Sequence, residues 1–172
     1  EKHGAGVEGK FEVGLDENGE MIYTSYSETS RLGFLRDIFG KRSISELGEE
    51  VDKDFGKYPI DVTARELFEN KKEFYGLDEL LDDKGNVLML DDKTALDIIN
   101  IRYTMSLTSF QKYLPTTVST YLDDETVVEI MENTAQLEGV NIEESSVRVY
   151  NDSIYFAAIL GYTGKVQKER LE

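Results

Sequence analysis

Residues 93–111 contain the longest helical pattern in the chain, and this helix limits what the sequence can fold into. Apolar side chains recur there every three or four residues: Leu96, Ile99, Tyr103, Leu107 and Phe110. Two aspartates, Asp91 and Asp92, favour the positive end of a helix at its start, and Pro115 forbids its continuation. The pattern predicts a globular chain built around one long helix with a core-facing side.

Shorter helices are predicted before this segment. Ser30 begins a helix that Gly40 ends, and residues 43–56 are predicted to form a short helix with a loop. Thr63 and Glu66 have the spacing of a capping box, in which each residue satisfies a backbone donor of the other. A third helix is therefore expected to begin at this box.

The rest of the chain alternates loops and helices. Residues 76–92 are acidic and loop-like, with a turn at the Lys-Gly-Asn sequence. Asp123 or Asp124 caps a helix that is expected to end before Gly139. A short apolar helix is predicted over residues 152–161. The sequence contains no internal repeat.

Strand signals are short and scattered. Phe11, Val13 and Leu15 alternate with polar or small residues, as do Ile22 and Thr24, and Asn18-Gly19 between them favours a hairpin turn. Two further extended segments are predicted at 116–122 and 140–150. Because these strands mix with helices without a regular βαβ order, the sequence predicts an α+β fold of short strands and several helices.

The net charge of the chain limits the classes of partner that it can bind. The 172 residues include 19 Lys and Arg against 35 Asp and Glu, a formal net charge of −16. Such a surface repels phosphate backbones and shows no basic stripe, which argues against nucleic acid as a partner. The length predicts one domain over residues 11–172, with room for two lobes, after a flexible lead-in over residues 1–10.

Several chemistries are excluded by composition. The chain has no cysteine and a single histidine, His3, so a disulfide scaffold, a thiolate site and a histidine triad are not expected. The spacing of Asp82, Asp83 and Gly85 does not match a calcium loop. No metal and no cofactor are predicted.

One motif matches a catalytic pattern. Ser109 and Lys112 fit S-x-x-K, in which the lysine activates the serine of penicillin-recognising enzymes. The required K-T-G and S-x-N partners are absent from the chain, and Ser109 falls at the end of a predicted helix instead of its start. A structural role for Ser109 is therefore preferred. Gly161 to Lys165 similarly lacks the earlier glycine of a phosphate loop.

Residues 95–166 resemble the non-catalytic N-terminal module of class B penicillin-binding proteins, of the clostridial type. The resemblance rests on six motifs in a fixed order, and weaker similarity extends to residues 15–19, 32–40 and 63–68. The motifs are Arg102-Tyr103, Tyr113-Leu114-Pro115, Asp124-Glu125-Thr126, Leu137-Glu138-Gly139-Val140, Arg148-Val149-Tyr150, and Ala157 to Gly164 (AAILGYTG).

The resemblance implies a pedestal, or dimerisation, domain. Such a domain holds a D,D-transpeptidase domain away from the outer face of the cytoplasmic membrane, for peptidoglycan synthesis. A membrane anchor before the chain and a transpeptidase domain after it would be missing from this fragment. The family's proline and glycine after Arg-x-Tyr are replaced by Asn151 and Ser153, and the family's opening arginine motif is absent.

The resemblance also implies partners and structural residues. The partners would be the protein's own transpeptidase domain, a second copy of the chain, a membrane-embedded glycan polymerase and other cell-wall synthesis proteins. No catalytic residue is implied. The residues expected to serve interdomain or structural contacts are Arg148, Tyr150, Gly161, Tyr162, Gly164, Arg102, Tyr103 and Pro115.

Two other hypotheses are carried beside the pedestal. One is a small hydrolase that uses Ser109 and Lys112. The other is a free-standing acidic adaptor that binds a basic protein partner through residues 76–97. The sequence leaves open the oligomeric state and the choice between elongation, division and sporulation.

Overall fold

The computed structural model describes residues 7–82, 84–111 and 113–145. The chain divides into two compact units, Glu1–Thr126 and Val127–Glu172. The described residues form four α-helices, several short 3-10 turns and a two-stranded sheet, which confirms the α+β class.

The predicted N-terminal hairpin is confirmed. Strand β1 (Val13–Leu15) pairs antiparallel with β2 (Met21–Tyr23). The Asp16 backbone N–H donates to the carbonyl of Glu20 at 2.9 Å, and Gly19 between them has φ +83°. This is a three-residue hairpin loop with glycine in the left-handed region, not the two-residue turn that Asn-Gly favours.

The hairpin turns Met21 toward the core, whereas Ile22, which the alternation favoured, is exposed. The Tyr23 hydroxyl donates to the backbone carbonyl of Val62 at 2.7 Å, and burial raises the pKa of Tyr23 to about 12. Strand β2 is thereby hydrogen-bonded to the residue that precedes Thr63, where the next long helix begins.

Helix α1 (Glu28–Ile38) begins before the predicted Ser30. Its N-cap is Ser27, whose side chain accepts a hydrogen bond from the backbone N–H of Ser30 at 3.1 Å. The prediction chose the wrong serine because both precede the apolar pattern, and only the extended backbone of Ser27 allows the capping geometry. The predicted short helix with a loop over 43–56 is a 3-10 helix, Ile44–Gly48, followed by irregular backbone.

The predicted capping box is present at the start of helix α2 (Ala64–Phe74). The Thr63 side chain accepts from the backbone N–H of Glu66 at 3.3 Å, and the Glu66 carboxylate accepts from the backbone N–H of Thr63 at 2.9 Å. Lys57 donates to the same carboxylate at 2.5 Å. Together these donors fix the first turn of α2.

The Glu66 carboxylate gives this helix start a pH dependence. The hydrogen bond from Lys57, followed by the donors of Thr63, lowers the pKa of Glu66 from 4.5 to about 2. Since the folded-state pKa is depressed, its stabilisation is present above about pH 4.5 and is lost as the pH falls toward 2. We expect the difference in free energy of unfolding between wild type and Glu66→Gln to shrink over that interval.

Urea denaturation at pH 6, 4.5, 3 and 2.5 measures this difference. Lys57→Met removes the main cause of the depressed pKa and should flatten the pH dependence without altering the helix cap. A difference between wild type and Glu66→Gln that stays constant with pH would contradict the expectation.

Helix α3 (Asp92–Leu107) confirms the start of the long helix but ends earlier than predicted. Asp91 is its N-cap and accepts from the backbone N–H of Thr94 at 2.9 Å. At the other end the hydroxyls of Ser106 and Thr108 donate to the carbonyls of Tyr103 and Met105. These side chains compete for the last helical carbonyls, and residues 109–111 form a separate 3-10 turn.

The early end of α3 overturns part of the predicted core face. Ile99 and Tyr103 are buried, but Leu107 is exposed and Phe110 is 78% exposed. The spacing of apolar residues continues past Leu107, but α3 ends there. Phe110 therefore does not lie on the core-facing side of α3.

The core of the described residues joins the hairpin to the first three helices. Its members are apolar or aromatic, and no charged residue of the described ranges is buried. They are Phe11, Val13, Met21, Phe34, Leu35, Leu47, Val62, Ala64, Leu67, Phe68, Leu77, Ala95, Ile99 and Tyr103.

The predicted strand at 116–122 is not formed. Residues 115–119 have no regular secondary structure, and Tyr121 has φ +55°, which breaks an extended run. The β-branched residues favoured a strand, and a backbone bond does reach the segment, from the N–H of Glu8 to the Val118 carbonyl at 2.7 Å, but no strand ladder forms there in the described residues.

Helix α4 (Asp124–Glu132) confirms the predicted cap. Asp123 accepts from the backbone N–H of Thr126 at 2.7 Å, so Asp123 and not Asp124 is the capping residue. Gly139 has φ +83° and lies in a turn in which the Val140 N–H donates to the Leu137 carbonyl at 3.1 Å. Residues 141–145 are irregular, and the rest of the predicted 140–150 strand and the 152–161 helix lie outside the described residues.

Candidate functional site

Tyr103 is placed by α3 in an aromatic cluster inside the first unit. Its ring lies 5.5 Å from that of Phe11 and 6.2 Å from that of Phe34, both edge-on. Burial, with smaller contributions from Asp37 and other groups, raises the pKa of Tyr103. The residue expected to be structural or interdomain therefore packs within the core of its own unit.

Arg102 lies beside Tyr103 in sequence but points to the surface. Its guanidinium carbon is 5.8 Å from the ring centroid of Tyr75, the residue that ends α2. Burial raises the pKa of Tyr75, while a hydrogen bond to Ser106 and the charge of Arg102 oppose that rise. An exposed arginine over an aromatic ring is a modest stabiliser and leaves donors available to a carboxylate or carbonyl.

Pro115 is exposed in the irregular segment that follows α3. Tyr113 and Tyr121 on either side are also largely exposed, as is Phe110. The segment is joined to the N-terminal residues by the Glu8–Val118 backbone bond and by a hydrogen bond between the Thr120 hydroxyl and the Glu8 carboxylate. Its aromatic side chains are available to a partner.

Two polar residues on α3 were missed by the sequence analysis. The Asn100 side-chain oxygen accepts from the backbone N–H of Phe11 at 3.0 Å, and the Thr104 hydroxyl accepts from that of Lys10 at 3.0 Å. A Cβ added at Gly9 would lie 1.9 Å from the Asn100 oxygen, so glycine permits this close approach. The signal was their four-residue spacing, which places both side chains on one helix face.

Residues 8–10 were predicted to belong to a flexible lead-in. In the structure Glu8 and Lys10 make the contacts given above, and Gly9 passes against Asn100. The first six residues lie outside the described ranges.

The remaining predicted site residues lie outside the described part of the chain. They are Arg148, Tyr150, Gly161, Tyr162 and Gly164. Their roles stay predictions from the resemblance.

The S-x-x-K match is described only at its serine. Ser109 is exposed and begins the 3-10 turn after α3, whereas Lys112 lies outside the described residues. Nothing in the described structure brings a second catalytic group to Ser109.

A small cleft between α1, α2 and the loop around residue 54 contains charged side chains. Its lining includes Lys71 with Asp52, Asp54 and the rings of Phe39 and Phe55. Burial lowers the pKa of Lys71, and the two aspartates oppose that shift. This arrangement balances one partly buried cation with two carboxylates.

The described residues contain neither a metal-ligand cluster nor a membrane-spanning helix. Within residues 7–82, 84–111 and 113–145, no three His, Cys, Asp or Glu side chains come close enough together to hold a metal ion. None of the helices described there has both the length and the apolar character needed to cross a bilayer.

Comparison with known proteins identifies a family. Neither the curated proteins nor the solved structures give a match to this chain. The family model of the penicillin-binding protein dimerisation domain matches residues 41–172, which is well over half of the chain. That range includes residues 95–166, in which the six ordered motifs lie. The chain therefore belongs to the penicillin-binding protein dimerisation domain family.

Proposed function

We propose that this chain is the non-catalytic pedestal and interaction domain of a class B penicillin-binding protein. In this role it positions a D,D-transpeptidase domain on the extracytoplasmic side of the cell membrane, within reach of peptidoglycan. The observation that supports the proposal most directly is the dimerisation-domain match over residues 41–172.

The described geometry is consistent with a scaffold. Its core consists of apolar and aromatic side chains, and its exposed surface includes aromatic residues that could contact another domain. Enzyme sites commonly place titratable groups with shifted pKa values in a cleft, and in the described cleft burial lowers the pKa of Lys71 while Asp52 and Asp54 oppose that shift. The strongest shift among the carboxylates, at Glu66, arises from a helix cap and an ion pair.

The proposed contacts with the transpeptidase domain involve residues from the motifs. Arg148 and Arg102 would bridge carboxylates or carbonyls, and Gly161 and Gly164 would permit close backbone approach. Tyr150 and Tyr162 would pack beside them. Pairing with a second copy, or with a membrane-embedded glycan polymerase, is an additional part of the proposal.

The coding sequence around this chain tests the proposal. We expect an upstream run of about 20 apolar residues and, downstream, S-x-x-K, S-x-N and K-T-G motifs in that order. A stop codon soon after Glu172 with no upstream anchor would overturn the pedestal role. Intact mass after incubation with benzylpenicillin is a companion measurement: a stoichiometric adduct that Ser109→Ala abolishes would establish the hydrolase hypothesis instead.

A further inference from the structure

The acidic loop between α2 and α3 contains a small hairpin arm, here defined as residues 80–82 and 84–90. The backbone N–H of Leu88 donates to the Leu80 carbonyl at 2.7 Å, and Leu81 and Val87 form an antiparallel bridge. Gly85 has φ +82° in the predicted turn, which is confirmed. The arm therefore has a defined backbone shape of its own.

Asp82 stabilises the turn of the hairpin arm. Its carboxylate accepts from the backbone N–H of Lys84 at 2.9 Å and from that of Asn86 at 2.8 Å. The Asn86 side-chain amide also donates to this carboxylate, at 3.0 Å. That bond is the largest cause of the lowered pKa of Asp82, and the backbone donors lower the pKa further. Asp82 therefore closes the turn through contacts between neighbours in sequence.

The two sides of the hairpin arm differ in what they contact. Leu80 and Leu90 at its base pack against the core of the first unit. Leu81 and Val87 lie opposite each other, so their side chains share a face, and Met89 lies two residues beyond Val87 on the same face. Their exposed fractions are 61%, 56% and 90%.

This outer face, formed by Leu81, Val87 and Met89, is apolar without contributing to the core. A hairpin turn needs no such side chains, since polar residues would fit its solvated face at least as well. Exposed apolar side chains that lie together on one face, unlike ones scattered singly, mark a candidate interaction site.

The sequence on either side of the outer face is acidic. Five described residues between 78 and 92 are acidic, and Lys84 is the basic residue among them. Lys72 and Arg65 each pair with one of these acids, at 2.7 Å and 2.6 Å, whereas Glu79 lies exposed at the base of the arm. The acidic residues are Asp78, Glu79, Asp82, Asp91 and Asp92.

We propose that the hairpin arm docks a basic segment of another protein, whose apolar side chains cover Leu81, Val87 and Met89. Charge decides among the occupants. A second copy of this chain would bring a formal charge of −16 to the same acidic surface, and an anionic bilayer would be repelled in the same way. This inference goes beyond the pedestal role and does not require that role.

A fluorescein-labelled peptide of alternating leucine and lysine is a suitable probe, with fluorescence anisotropy as the readout at 50 mM salt. Leu81→Ser combined with Met89→Ser should weaken peptide binding about tenfold or more, because the apolar contact is lost while the charge is unchanged. The matched control is Met105→Ser combined with Met131→Ser, two exposed methionines in α3 and α4. It should bind within about twofold of wild type.

Further arms of the experiment separate the sources of binding. Raising the salt to 500 mM should weaken binding to wild type, since exposed charges are screened, and a leucine–glutamate peptide should not bind. Equal weakening in the control variant, or no weakening in the arm variant, would overturn the proposal. So would binding to phosphatidylglycerol vesicles, or self-association in sedimentation that the arm variant abolishes. Unchanged circular dichroism verifies that both variants fold.

Discussion

Replacing Phe68 with alanine should lower the free energy of unfolding by about 3–5 kcal/mol, the usual cost of removing a fully buried phenylalanine. Phe68 lies on the inner face of α2, is 0% exposed and is among the largest fully buried side chains of the described core. The guanidinium carbon of Arg65 lies 5.6 Å from its ring centroid. Alanine would leave a cavity that the surrounding helices could close only in part. Urea denaturation followed by circular dichroism measures the loss.

The same helix supplies the matched control. Phe74 is 72% exposed at the end of α2, beside the ring of Tyr75, so Phe74→Ala should change stability by less than about 1 kcal/mol. If Phe68→Ala does not fold at all, Phe68→Leu is measured in its place, and it should retain most of the wild-type stability. Equal losses from Phe68→Ala and Phe74→Ala would contradict the described packing of α2.

The features that were predicted correctly from the sequence are those whose contacts join residues only a few positions apart. Thr63 and Glu66 satisfy each other's backbone donors, and Asp91 caps a donor three residues away. The Asn18-Gly19 hairpin likewise follows from local backbone preference. Each of these contacts forms between neighbours in sequence, so the residue types suffice to predict it.

The failures concern features that depend on distant partners or on competition at helix ends. A strand at 116–122 needs a neighbouring strand along its length, and Tyr121 with φ +55° interrupts the extended backbone that such pairing requires. Phe110 was placed on the core face because periodicity does not reveal that Ser106 and Thr108 take the last carbonyls of α3. Asn100 was missed because its acceptor role depends on a segment 89 residues away.

The parts of the candidate site differ in how far the sequence predicts them. The family followed from the order of six short motifs, and no single contact or periodicity would have identified it. The apolar outer face of the hairpin arm, by contrast, became visible only when the Leu81–Val87 bridge placed those residues opposite each other. Sequence alone marked that segment as acidic and loop-like.

Tyr103→Ala should destabilise the chain by about 3 kcal/mol, because it removes the ring that contacts both Phe11 and Phe34. Those contacts connect α3 to the N-terminal hairpin region and to α1. Tyr103→Phe preserves the ring and should cost less than about 1.5 kcal/mol. The free energy of unfolding of this chain alone measures both effects, because the contacts lie within one unit.

The neighbouring Arg102 distinguishes a core role from an interface role. Arg102→Ala removes an exposed guanidinium from above Tyr75 and should cost this chain no more than about 1 kcal/mol. If Arg102 contacts a transpeptidase domain as proposed, its alanine variant should become more costly only when that domain is present. If Tyr103→Ala were as mild as Arg102→Ala in the isolated chain, the aromatic cluster would not hold α3 to the hairpin, and the tyrosine of the Arg-Tyr motif would have to act outside its own core.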